Sequence, residues 1–167
     1  TDVDQDAQVL LTVTNVDGEI GSISYEWGGD LQGVIATTTT DEYIYSADTT
    51  DNLYVIITDL QTGCEAISQE ELVNVLLPIE VPNAFTPNGD GINDTWNIYG
   101  LSTYRNSVMR IYNRWGQLVY SKNGAYENDW DGTGKSGNEL PTGTYYYVIS
   151  LNQDGKTNVS GDVSIIR

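Results

Sequence analysis

The sequence predicts an all-β protein built as two β-sandwich domains in tandem, and three observations carry that expectation. Apolar residues alternate at period two in short runs, as half-buried strands require. Clusters of Gly, Pro, Asn and Asp bound the runs and stop any long helix. The composition also changes abruptly near the middle of the chain, which marks a boundary between two units.

In the first unit, expected over residues 1–79, Val9, Leu11 and Val13 alternate with polar positions. So do Ile23, Tyr25 and Trp27, then Leu53, Val55 and Ile57. Asp17-Gly18, Gly28-Gly29 and Thr62-Gly63 supply the turns. Five to seven short strands fit, with at most one helical turn near Gln69 to Leu72. Tyr25-Glu26-Trp27, the run Tyr54 to Asp59 and Thr62-Gly63-Cys64 resemble immunoglobulin-like or PKD-like repeats of large bacterial surface adhesins. That resemblance makes the sandwich Ig-like. Such repeats often pair their Cys within the domain, but Cys64 is the only Cys here. Two readings stay open for it, a small buried thiol, which is favoured, and an intermolecular link.

The charge balance excludes several function classes. There are 24 acidic and 7 basic side chains and no His, for a net charge of −17. Nucleic-acid phosphates and anionic lipid would both be repelled. The commonest general base and metal ligand is missing, so an enzyme is not expected. Every basic residue lies at or after Arg105. The acidic excess reads either as a solvated face or as calcium ligands at Asp2, Asp4 and Asp6, or at Asp48 and Asp51. No apolar run reaches membrane-spanning length, so direct membrane insertion is not expected, and the first residues are acidic, unlike a secretion signal. If exported, the chain is a fragment of a longer protein or is addressed by signals elsewhere.

Leu76 to Pro82 reads as a stiff apolar connector with two prolines. Then comes Pro82 to Trp96, the most heavily punctuated stretch of the chain, with Phe85 and Trp96 expected to be buried and to pin an ordered loop. Asn88-Gly89-Asp90-Gly91 invites comparison with EF-hand loops. In that register Thr86 replaces the first Asp and Asn97 the bidentate acid, so the loop is not of that type. Two readings remain, a calcium site using Asp90 and Asp94 with Asp131 or Asp129, and a purely structural Asx-turn loop.

The second unit, expected over residues 80–167, continues in strands. Val108 to Asn113 and Leu118 to Tyr120 form a hairpin around Arg114 to Gln117. Tyr145 to Leu151 is the strongest strand and is expected centrally, with Tyr145, Tyr147, Ile149 and Leu151 inward. Val163 to Ile166 closes the unit, ending in Arg167.

Several motifs here occur in a specific order: Asn83 to Asp94, Ile111-Tyr112-Asn113-Arg114-Trp115-Gly116, Trp130-Asp131-Gly132, Leu140 to Tyr147, and Gly161 with Ile165-Ile166-Arg167. Together they resemble the gliding-motility-associated C-terminal domain of Bacteroidetes, the type B sorting signal of the type IX secretion system found on SprB-like adhesins. The resemblance implies export across the outer membrane by the type IX translocon, with a SprF/PorP-like outer-membrane barrel as partner. The protein would then be kept at the cell surface or released. The same segment also resembles the Ig-like part of flagellar hook-capping proteins, a likeness of architecture.

A domain read by a partner needs a rigid patch with aromatic and Arg anchors. The candidates are Asn88, Asp90 and Asp94 on the loop, Arg114 and Trp115 on the hairpin, and the terminal Ile165, Ile166 and Arg167. For Arg114 an ion pair with a loop Asp and a partner contact are equally open. A terminal edge strand would offer backbone groups for strand addition. The rival reading is a carbohydrate-binding module, in which the four Trp and twelve Tyr present a stacking platform.

Overall fold

The computed structural model describes residues 1–14 and 22–167, and the expected Asp17-Gly18 turn lies outside them. The chain divides into two compact units, Thr1–Leu76 and Leu77–Arg167, against an expected break after residue 79. Both are built from strands, in keeping with the expected all-β class.

The first unit contains β1 (Asp2–Asp4), β2 (Ala7–Thr12), β3 (Ile23–Gly29), β4 (Gly33–Thr38), β5 (Glu42–Ala47), β6 (Asp51–Asp59), β7 (Glu65–Ile67) and β8 (Glu71–Leu76). One sheet runs β1-β8-β6-β3-β4, with β7 also on β6, and β2-β5 forms the other. Their inner faces meet because the period-two residues point there: Tyr25, Trp27 and Val55 pack against Leu11, Val13 and Tyr43. Trp27 stacks on Tyr25 and Tyr43 at 6.4 and 6.0 Å, and its indole N–H donates to Thr38 Oγ1 at 3.0 Å.

Three expectations change here. The Gln69–Leu72 segment is no helical turn; it leads into β8, where Val73 and Val75 are buried and the strand pairs with both β1 and β6. Cys64 is exposed rather than buried. It follows a turn whose shape comes from Asp59, which accepts the Gln61 and Thr62 amides, and the turn carries the thiol into solvent. Asp51, weighed as a calcium ligand, is buried and accepts the Leu31 and Asn52 amides, so it fastens the β3–β4 turn to β6.

The second unit contains β9 (Ala84–Phe85), a 3-10 turn (Leu101–Thr103), β10 (Val108–Tyr112), β11 (Leu118–Asn123), β12 (Gly143–Ser150) and β13 (Val159–Ile165). They form a sheet in the order β11-β10-β12-β13-β9. β12 is central, with Tyr145, Tyr147 and Ile149 buried on one face and Tyr146 and Val148 exposed on the other. The layer over the buried face is irregular chain, because prolines, glycines and Asx residues deny it long strands. Among the described residues its pairings outside the sheet are the isolated bridges Glu80–Tyr99 and Thr133–Glu139. It supplies large apolar groups instead: Trp96, Leu101, Tyr126 and Trp130 are almost wholly buried. Burying each Trp ring contributes roughly 4–6 kcal/mol before entropy is subtracted.

The connector expected at Leu76 to Pro82 belongs largely to this unit. The Leu77 amide donates to Thr103 Oγ1 at 3.2 Å, and Glu80 and Tyr99 exchange backbone bonds.

Candidate functional site

Site geometry begins with the punctuated loop, which is an ordered object. Asp94 organises it: one carboxylate oxygen accepts the Asn88 and Gly89 amides at 2.9 and 2.7 Å, and the other accepts the Gly91 amide at 2.8 Å. These bonds, Gly89's foremost, hold the Asp94 carboxyl below its ordinary range. Asp90 accepts the Ile92 amide at 2.8 Å and the Asn88 side-chain amide at 3.0 Å. At the loop's ends Phe85 and Trp96 are buried, as their size demands, and both rings lie against Trp130, at 5.1 and 5.8 Å.

Around a shallow cleft of about 270 Å³ the fold collects Asp94, Asp131, Glu139 and Arg167. Arg167 spans it: Nε donates to Pro87 O at 3.3 Å, Nη1 donates to Leu140 O, and Glu139 lies 3.6 Å from Nε. Gly132 lets the Trp130-Asp131-Gly132 turn approach the terminal strand. A Cβ there would sit 3.2 Å from both Arg167 Nη2 and Ile165 Cδ1, at a φ of +79°. Arg167 therefore ties the terminal strand to the 83–94 loop and to the Leu140 segment, beside the Trp130-Asp131-Gly132 turn.

The calcium reading does not fit this arrangement. Asp90 and Asp94 already serve backbone amides, and Asp131 accepts the Thr133 amide at 2.9 Å. Asp129 is paired with Lys122 at 2.6 Å, which lowers its pKa. Among the described residues no group of three or more acids gathers as a cation site. The loop does contain the Asx turns of the alternative reading: the Asp90 amide donates to Asn88 Oδ1 at 3.0 Å and the Ile92 amide to Asp90 Oδ1 at 2.8 Å.

The terminal strand also differs from expectation. β13 pairs with β12 on one side and, at Ser164 and Ile165, with β9 on the other. The Ile166 amide donates to Phe85 O at 3.1 Å. The edge expected to be free at the chain end is thus already filled by the chain itself, and Ile165 is a core residue. Ile166 remains half-exposed.

The hairpin residues are displayed outward. Asn113 builds the β10–β11 turn: its Oδ1 accepts the Trp115 and Gln117 amides, each at 3.0 Å, and its Nδ2 donates to Gln117 Oε1 at 2.8 Å. Trp115 is 70% exposed, and the Arg114 guanidinium lies 4.2 Å above its ring. Of the two readings for Arg114, the ion pair with a loop Asp is not formed among the described residues; the side chain stacks on Trp115 and stays exposed, where a partner contact remains open to it. A second cleft, of about 310 Å³, opens between this turn and Leu140 to Tyr145. The other three Trp residues, Trp27, Trp96 and Trp130, are buried, so the indoles expected of a sugar platform are mostly core. Glu139 carries no signal in the sequence, and Asn113 and Leu140-Pro141 stand there only as parts of motifs, although an Asn two residues before Trp-Gly is a legible Asx-turn signal.

Residues 79–165 match the model of the CHU_C type IX secretion signal domain. The chain belongs to this family. A type IX secretion signal domain implies export from the cell and an interaction with the secretion machinery, as expected from the motif order. No curated protein matches the chain significantly. Among solved structures it is similar to immunoglobulin domains 1–4 of Sidekick-1, with 12% identity and TM-score 0.38, covering 98% of this chain and 48% of that one. Dimeric latent PorU from Porphyromonas gingivalis gives 16% identity and TM-score 0.35, covering 99% and 18%. The Bacteroides ovatus protein SGBP-B, in complex with a mixed-linkage heptasaccharide, gives 16% and 0.37, covering 99% and 42%. The chain thus spans less than half the length of each. No helix among the described residues of the secretion-signal chain is long and apolar enough to cross a membrane.

Proposed function

We propose that this chain is the C-terminal part of a large exported cell-surface adhesin of the gliding type. In that reading residues 77–167 are the folded address read by the type IX translocon and a SprF/PorP-like outer-membrane barrel, and the acidic first unit is a stalk or adhesive repeat. The observation that carries it is the secretion-signal match over residues 79–165. Two features support recognition by shape. The motif loops are locked by Asp94 and Asn113, and the exposed motif residues Trp115, Arg114 and Ile166 stand on that rigid frame. The activity assigned is binding, with no turnover.

Fusing residues 77–167 to a fluorescent passenger, in a bacterium with type IX machinery, tests this. Delivery to the surface is expected, and loss of delivery when the barrel partner is deleted. Equal delivery of the passenger without residues 77–167 overturns the reading.

A further inference from the structure

We propose that the cleft between the Asn113–Gln117 turn and the Leu140–Gly143 segment is the partner-docking site, and that its occupant is an extended acidic segment of a protein partner. This segment carries an apolar side chain for the cleft and a flanking carboxylate for Arg114. The inference rests on the proposed sorting function and deepens it.

The occupant follows from shape and charge. Leu140, Pro141, Val119 and the Tyr145 ring make an apolar wall, and Tyr145 is tied down by its hydroxyl, which donates to Pro141 O at 2.8 Å. Opposite stands Trp115, whose backbone is fixed by Asn113 and Gly116, the latter donating to Asn113 O at 2.9 Å. One face of the indole is covered by Arg114 and the rest is exposed, so an aromatic anchor is presented with little ordering entropy left to lose. Arg114 is the only charged residue lining this cleft, and no Asp or Glu lines it. That is unusual in a protein with 24 acids and 7 bases. The second unit is also close to balanced, with nine acids against seven bases, while the first has fifteen acids and no base. An acidic segment is therefore repelled by the first unit, and at this cleft of the second it meets the Arg114 cation with no carboxylate in the lining. A basic segment would find no carboxylate in the cleft to pair with.

The test uses the full chain fused to a passenger, in a bacterium with type IX machinery, with export and the melting temperature measured for each variant. Trp115→Ala is expected to cut export about tenfold or more. Arg114→Glu should do at least as much, and Arg114→Gln should lose less, because only Glu repels the incoming carboxylate. All three should melt like the parent, since both side chains lie outside the core. Deleting residues 77–167 is the control for the sorting function itself. If that deletion abolishes export while Trp115→Ala and Arg114→Glu export normally, the docking site is refuted and the function stands. If Arg114→Gln and Arg114→Glu are equally impaired, the occupant is not acidic and the inference is overturned. Binding of the parent to a glycan array, lost in Trp115→Ala, would make the occupant a sugar and overturn it as well.

Discussion

The Asp94 carboxylate accepts the Gly89 amide at 2.7 Å, the shortest of three backbone bonds that close the 88–94 loop on a single side chain. The same relationship makes this acid a structural fastener of the loop.

Asp94→Asn is expected to lower the melting temperature of the second unit at pH 7. The new amide nitrogen would face the Gly91 N–H donor to donor, losing one of the three bonds. The folded-state pKa of Asp94 is depressed, so its contribution is present above the unfolded value of about 3.9 and is lost as pH falls through the folded value. Melts from pH 7 down into that acid range should show the gap between parent and variant closing. Adding Ca²⁺ or EDTA at pH 7 should move neither melting point, and a rise with Ca²⁺ would restore the cation reading.

Tyr126→Phe is expected to cost about 1–3 kcal/mol in urea denaturation. The buried hydroxyl donates to Trp96 O at 2.7 Å and accepts the Trp130 amide at 3.3 Å, and both backbone groups would be left unpaired.

Burial pushes the phenols of Tyr126 and Tyr120 well above their ordinary range. Their folded pKa is raised, so the stability they contribute is complete below the unfolded value of about 10 and falls as pH rises beyond it. Melting temperatures between pH 9 and 12 should fall more steeply in the parent than in Tyr126→Phe, which cannot ionise there.

Gly100→Ala should destabilise the second unit by about 3 kcal/mol. The residue has φ +78°, and a Cβ would lie 2.2 Å from Pro78 O, a backbone atom with no room to retreat. Urea denaturation followed by Trp fluorescence reads this directly.

Cys64 should react fully with a thiol reagent in the native chain, without denaturant, because its side chain is exposed. Cys64→Ser should change stability by no more than about 0.5 kcal/mol. Slow labelling that speeds up in urea would return the thiol to the core.

The sequence alone determined the strand class, because period two at Tyr25-Trp27, Leu53-Val55 and Tyr145-Tyr147-Ile149 leaves one face to bury. It also determined that Phe85 and Trp96 would pin the loop between them, since rings of that size seek the interior. The order of the motifs was enough to place the chain among type IX secretion signals. Local pattern could not say which long-range partner each group would meet. For Asp94 the sequence leaves a cation ligand and an Asx-turn residue both open, and the fold places three backbone amides on its carboxylate. The final strand reads as a free edge in sequence, but Ala84-Phe85, about eighty positions earlier in the chain, pairs with its last residues. Arg167 is a candidate contact in sequence, and the fold sets Pro87, Leu140 and Glu139 around it. Period and punctuation are properties of neighbours in sequence, whereas a hydrogen bond across the sheet depends on how the whole chain closes, and only the tertiary structure decides that.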